Sequence, residues 1–318
     1  MQLFINKKYF NYNLLHPINT SNSKLTNSEG WLINIKDKTG KEGWGEICNN
    51  KFFGNNKCNQ FLHEITGEIS REKLIKKLIK YNNNRIDFGI FSALYELDGL
   101  IGSKINPWLN PPESAILISF KTIINNEINE ICKAFKKSKR QFTIKWKVGI
   151  LPNDEEEILL EKILAILPCN CHLRIDANGS WNKETAKRWC SILKNEPRLD
   201  WLEQPLHVDD IEGLNQLSEI IPIALDESLL KYPELNKTWH GWKIRRPSLE
   251  GNPSLLIKQL SQNSKYQCIS TSFEAGIGGR WINYFAALQY KGEYRAQGLA
   301  KNLMPNSNLF SNDPIVAW

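Results

Sequence analysis

The sequence predicts an α/β protein, a closed parallel barrel preceded by a smaller α+β domain. From Ser114 onward, short apolar runs alternate with segments of helical spacing, giving about seven strand–helix units. Four of these runs end in polar residues: Phe142-Thr-Ile-Lys-Trp-Lys147, Leu173-Arg-Ile-Asp-Ala-Asn178, Trp201-Leu-Glu203 and Ile223-Ala-Leu-Asp226. The carboxylates at 176, 203 and 226 recur at the spacing of one strand–loop–helix–loop unit, on the order of 25–30 residues. Each therefore takes the same place in successive units, and in a closed barrel that place is the C-terminal rim, where side chains converge. No Gly-x-Gly-x-x-Gly follows the first strand, which disfavours a dinucleotide-binding sheet.

The elements follow in order. Residues 1 to about 50 read as strands. Trp31-Leu-Ile-Asn-Ile-Lys36 is apolar and β-branched, Asp37-Lys-Thr-Gly40 signals a turn, and Gly43-Trp-Gly-Glu46 starts the return limb of a hairpin. Leu14 to Gly30, rich in Asn, Ser and Thr and without periodicity, reads as a loop of unusual length, of the kind that is either disordered or a functional lid. Residues 58 to 100 turn helical, with Phe88, Phe91, Leu94 and Leu97 near helical spacing. The Pro-rich stretch from Asn106 to Pro112 marks a boundary, giving an α+β domain over 1–112 and the barrel over 113–300. Residues 301–318 form a C-terminal segment expected to pack back on the first domain.

Within the barrel, Ala115–Ser119 is a strand and Asn126–Phe135 a helix. The lysine-pair strand follows, and Asn153-Asp-Glu-Glu signals a helix cap. Ala186, Trp189 and Leu193 mark the helix after the Asp176 strand, and Ile211–Ile220 the one after Glu203. Trp242–Arg246 is a strand, Asn252-Pro253 caps a helix with proline at its first position, and Gln267–Ser270 is another strand. Trp281–Leu288 is helical, and Tyr294–Gln297 reads as the last strand.

Composition narrows the function classes. The formal net charge is +7, but Lys and Arg intermingle with Asp and Glu, with no basic block interleaved with aromatics, so no nucleic-acid partner is inferred. The excess is read as a solvated lysine-rich surface that also helps attract a small anionic metabolite. The seven cysteines are scattered, and Cys169-Asn-Cys171 is not a C-x-x-C pair, which points to reduced thiols and a cytoplasmic setting. The first residues are charged too soon for a secretion signal, and no apolar run is long enough to span a membrane. Oligomeric state is not legible here.

Asp176, Glu203 and Asp226 are hard oxygen ligands, a set that selects Mg²⁺, or Mn²⁺, over Zn²⁺. One such aspartate alone is more often a helix cap, but three at matching phase point to a metal site. Lys145 and Lys147 share one face of their strand. With that face inward they stand opposite the carboxylates, and burial is expected to lower their pKa toward that of a base; on an exposed edge they would simply be solvated.

These motifs, with Leu225-Asp-Glu-Ser228 and Trp201-Leu-Glu-Gln-Pro205, resemble the enolase superfamily, and within it the o-succinylbenzoate synthase family. The resemblance covers nearly the whole chain, including the Gly43–Glu46 hairpin. It implies a capping domain over a (β/α)₇β TIM-like barrel, with Mg²⁺ held by Asp176, Glu203 and Asp226. It implies Lys147 as acid/base, with Lys145 and Arg246 completing the catalytic group and Arg174, Asn178 and Ser272 near the substrate. The implied reaction is loss of water from a dicarboxylate, 2-succinyl-6-hydroxy-2,4-cyclohexadiene-1-carboxylate, in menaquinone or phylloquinone biosynthesis.

The chain departs from the family at Arg246, where the family carries a second lysine before a proline; Lys243 is out of phase with it. An arginine stays protonated near neutral pH and cannot act as a base. One-base elimination tolerates that, whereas racemisation needs bases on both faces. The alternatives are a muconate-cycloisomerase-like or N-acylamino acid racemase activity, or a barrel that binds without catalysis.

Overall fold

Four antiparallel strands open the chain. β1 (Gln2–Asn19), β2 (Lys24–Asp37) and β3 (Glu42–Cys48) form a meander, and β4 (Gly67–Ser70) joins the free edge of β1. This computed structural model describes residues 1–19, 24–48, 58–138, 140–262, 265–289 and 295–318. The expected turn at Asp37–Gly40 joins β2 to β3, with Asp37 Oδ1 accepting the Thr39 and Lys41 N–H groups.

β1 serves two cores. Leu3 and Ile5 join Ile33 and Ile35 beneath the helices α1 (Cys58–Ile65), α2 (Arg71–Tyr81) and α3 (Asn84–Leu97). Further along, Phe10, Tyr12 and Leu14 face the barrel, where they pack with Phe273, Ile277 and Ala300. α3 starts at Asn83, whose side chain accepts the Arg85 and Ile86 N–H groups. It lies so close to β3 that a Cβ on Gly45 would stand 1.9 Å from the Gly89 carbonyl oxygen.

The expected loop from Leu14 to Gly30 is instead mostly strand. β1 runs on to Asn19 and β2 begins at Lys24, with Asn13 opposite Asn27 and, past an irregularity, Ile18 opposite Leu25. The Asn, Ser and Thr residues mislead because one side of this two-stranded arm faces water. Leu14, Ile18, Leu25 and Ser28 form its buried side. Thr20 to Ser23 lie outside the described residues.

The second sheet is parallel and curled. β5 (Ile116–Ile118), β6 (Phe142–Lys147), β7 (Cys171–Asp176), β8 (Leu199–Glu203), β9 (Ile223–Leu225), β10 (Trp242–Arg245) and β11 (Gln267–Ile269) neighbour one another in sequence order. Among the described residues, two isolated bridges hold the eighth position: Gln297 to Ser114 beside β5, and Gly298 to Ser270 beside β11. Backbone bonds from Ala115 N to Gln297 O at 2.8 Å and from Gly298 N to Ile269 O at 2.8 Å close the ring. Of the expected last strand, Tyr294 lies outside the described residues.

The helices wrap the outside: α4 (Phe120–Ile124), α5 (Glu127–Ser138), α6 (Asn153–Ile166), α7 (Lys183–Leu193), α8 (Ile211–Ser218), α9 (Glu227–Lys231), α10 (Leu235–Thr238), α11 (Pro247–Glu250), α12 (Pro253–Ser261) and α13 (Gly276–Gln289). Outward-facing Ile144, Trp146, Leu173 and Ile175 pack on Leu160, Ile163 and Trp189 from α6 and α7. Asn252 caps α12 as expected. The expected cap at Asn153 is not made: Pro152 holds that position, and Asn153 opens the helix. The Glu156 carboxylate instead accepts the N–H groups of Gly149, Ile150 and Leu151 from the preceding loop. α14 (Pro314–Ala317) follows near the C-terminus; Phe310 meets Tyr12 at 4.7 Å between ring centroids, and Trp318 meets Trp44 at 5.3 Å. Among the described residues no cysteine is joined in a disulfide. No described helix is long and apolar enough to cross a membrane.

Candidate active site

The alternation of β6 decides what the barrel mouth receives. Ile144 and Trp146 go outward into the helical layer, so Lys145 and Lys147 go inward. Parallel register then sets the carboxylates level: Lys147 pairs with Asp176 across β6–β7, and Asp176 with Glu203 across β7–β8. Asp226 follows the last residue of β9, and Arg246 the last residue of β10. These six side chains meet at one end of the barrel, all nearly buried.

Their ion pairs fall into two groups, the lysines with Asp176 and Glu203 and Arg246 with Asp226. Lys145 Nζ lies 2.9 Å from Asp176 Oδ2 and 2.6 Å from Glu203 Oε1. Lys147 Nζ donates to Asp176 Oδ2 at 2.7 Å and to Asn178 Oδ1 at 2.8 Å. Arg246 donates through Nε to Asp226 Oδ1 at 2.8 Å and through Nη2 to Oδ2 at 2.5 Å. Asn178, in a left-handed conformation (φ 47°), also donates from Nδ2 to Glu227 Oε1 at 2.9 Å.

Charge balance sets the titration. Burial raises the pKa of Glu203 to about 7, helped by repulsion from Asp176. Burial would also raise Asp176, but attraction by Lys145 and Lys147 outweighs it and the pKa falls well below the usual carboxylate range. Burial would lower Lys145, yet Asp176, Glu203 and Asp226 together push it up. The expected lowering therefore does not hold for Lys145: the negative neighbours outweigh the loss of water. Glu227 is pushed up to about 8, by burial and then by Asp226 and Asp176.

A cavity opens above these ion pairs. Lys145, Lys147, Asn178, Glu227, Arg246 and Thr271 supply its polar side. Ile18 and Leu25 from the β1–β2 arm, with Leu117, Phe273 and Ala300, supply its apolar side. Two residues expected near the substrate sit elsewhere. Arg174 is buried inside the barrel, 2.9 Å from Asp200 through Nε and 3.8 Å above the Trp201 ring. It does not line the cavity, because Asp200 on β8 claims its guanidinium. Ser272 is fully buried, its Oγ finding no hydrogen-bond partner among the described residues, while its N–H points to Glu274.

Sequence reasoning left two contributors unnamed. Gln204 (φ 38°) accepts the N–H groups of Asp226 and Ser228 at Oε1, at 3.2 and 3.1 Å, and so fixes the turn that presents Asp226. Glu227 lines the cavity, with Oε2 buried and unpaired among the described residues. Both stand beside an expected ligand inside quoted motifs, which was the available signal.

The donor set suits a hard divalent cation: three carboxylates and no sulfur or nitrogen. In the arrangement described, no three acidic, His or Cys side chains converge closely enough to hold an ion. Lys145 instead pairs with Asp176 and Glu203, and Arg246 with Asp226.

A family model described as enolase C-terminal domain-like matches residues 129–238. The o-succinylbenzoate synthase of Thermosynechococcus vestitus is 29% identical over 260 residues, 77% of either chain. The crystal structure of o-succinylbenzoate synthase from Thermosynechococcus elongatus BP-1, complexed with Mg in the active site, superposes with a TM-score of 0.76. It is 23% identical and covers 94% of this chain and 93% of that one. The L-Ala-D/L-Glu epimerase of Bacillus subtilis superposes with a TM-score of 0.74 at 17% identity, over 96% and 92% of the two chains. Both structures share the capping sheet and the curled parallel barrel, so they fix the fold. Residues 129–238 are thus similar in sequence to enolase C-terminal domains, and the whole chain is similar in fold to these two enzymes.

Proposed function

We propose that this protein is a Mg²⁺-dependent hydro-lyase, an o-succinylbenzoate synthase. Its substrate would be 2-succinyl-6-hydroxy-2,4-cyclohexadiene-1-carboxylate, and its products 2-succinylbenzoate and water. The observation that carries the reading is Lys147 at the wall of a half-apolar cavity, its Nζ 2.7 Å from the strand-end carboxylate of Asp176. Similarity to o-succinylbenzoate synthases over most of the chain supports the substrate.

Asp176, Glu203 and Asp226 would hold the ion, whose positive charge would stabilise the oxygens on which negative charge collects as the proton leaves. Lys147, at the cavity wall, takes the proton from the carbon α to the ring carboxylate. The resulting ammonium returns it to the departing hydroxyl on the same face, so C–H and C–O break, the ring becomes aromatic, and one water leaves. Asn178 holds Lys147 Nζ at 2.8 Å and so aims it. Arg246 places a permanent cation near the developing charge but offers no second base, which favours elimination over racemisation. Ile18, Leu25 and Phe273 exclude water from the ring's apolar faces.

The test is a UV assay of aromatic product with purified protein, with and without Mg²⁺. Wild type should turn over only with the ion, and Lys147→Ala should lose at least about 10³-fold in kcat. Unchanged turnover by Lys147→Ala, or no aromatic product under either condition, refutes the assignment.

A further inference from the structure

Asp226 differs from the other two strand-end carboxylates in how it is held. One side chain, Arg246, takes both of its oxygens, at 2.8 and 2.5 Å, with both partners nearly buried. The guanidinium is braced: Nη1 donates to the Thr271 carbonyl at 2.6 Å, and the Arg246 N–H donates to Glu250 Oε1 at 2.8 Å. Asp176 and Glu203 share an ammonium, a point charge on a flexible stem. A two-pronged arginine contact takes one in-plane lone pair on each oxygen and neutralises the charge that a cation would otherwise meet.

We propose that Arg246 is an internal competitor for Asp226 and thereby sets the protein's affinity for its divalent cation. The inference rests on Asp226 being a metal ligand, as read above. Ion and guanidinium contend for one carboxylate, so each weakens the other's hold by the same factor. Loading the ion releases the guanidinium, which lines the cavity and becomes available to an anionic substrate. Arg246 is in this respect a positioning residue acting through Asp226.

The experiment is calorimetric titration of the full chain with Mg²⁺ alone. It compares wild type, Arg246→Lys and Arg246→Gln, each also in an Asp226→Asn background. Arg246→Gln should bind Mg²⁺ about tenfold or more tightly than wild type, the scale of a charge-assisted bidentate contact. Arg246→Lys should fall between, because a lysine holds one oxygen at a time. In the Asp226→Asn background the Arg246 substitutions should change the dissociation constant by no more than about twofold. Equal affinity of wild type and both variants overturns the proposal. Equal tightening with and without Asp226 also overturns it, since Arg246 would then act only through its field. If Arg246→Gln does not fold, Arg246→Lys against wild type decides. Absence of Mg²⁺ binding to every protein, wild type included, refutes the metal-site reading itself.

Discussion

Two hydroxyls of the β1–β2 arm share one acceptor on the barrel, beside the apolar contacts that also hold the arm. The Phe273 carbonyl oxygen accepts from Tyr12 Oη at 2.7 Å and from Ser28 Oγ at 2.9 Å, in both cases in the interior. Phe273 adopts a left-handed conformation (φ 67°) and lines the cavity, so this carbonyl anchors a segment that shapes the site. Tyr12→Phe leaves Ser28 still donating, and Ser28→Ala leaves Tyr12. Each single change should cost about 0.5–1.5 kcal/mol, the net value of one hydrogen bond. The double variant leaves a buried carbonyl with neither donor, which adds the desolvation penalty of about 1–3 kcal/mol. The double loss should therefore exceed the sum of the singles by about 1 kcal/mol or more. Urea unfolding of the four proteins at constant m measures it, and the double variant should also show a raised KM. Additivity within about 0.5 kcal/mol would show that the two hydroxyls do not share one acceptor's fate, and would refute the reasoning.

Three further outcomes follow from the same structure. Gly45→Ala would drive a methyl to 1.9 Å from the Gly89 carbonyl between β3 and α3, and should cost more than about 3 kcal/mol or prevent folding; a change in Tm of a degree or two would contradict it. Glu46 is buried, accepts the Ala275 and Gly278 N–H groups at 2.7 Å each, and has its pKa raised by burial from 4.5 to about 8. The folded state then holds an extra proton between those values, so its contribution to stability falls as pH rises through that window, by at most about 1.4 kcal/mol per pH unit. Glu46→Gln should flatten the fall between pH 5 and 8 in denaturant unfolding, and an unchanged slope would exclude Glu46 as its source. Chelation should abolish turnover while far-UV circular dichroism and Tm stay within a few degrees, because Lys145, Lys147 and Arg246 neutralise the carboxylates without the ion. Unfolding on chelation would show that these pairs do not suffice.

The placement of the site could be read from the chain because it depends on two short-range rules. Alternation along β6 sends Lys145 and Lys147 to one face, and the unit spacing brings Asp176, Glu203 and Asp226 to matching strand ends. The arm from Leu14 to Gly30 was misread because its buried residues are sparse: only one side of the ribbon touches the barrel. The helix start at Pro152 was misread because Glu156 reaches back to three loop N–H groups, a contact that residue type alone does not announce.

By itself the sequence determined a parallel barrel with strand-end carboxylates and two lysines on one strand face, because periodicity and spacing are properties of neighbours along the chain. Tertiary structure decided which cation holds which carboxylate. Arg246 takes both oxygens of Asp226, Lys145 lies between Asp176 and Glu203, and Arg174 is drawn inward by Asp200. The physical reason is that ion pairing in a buried site depends on distances across the barrel, between residues 20 to 58 positions apart in the sequence.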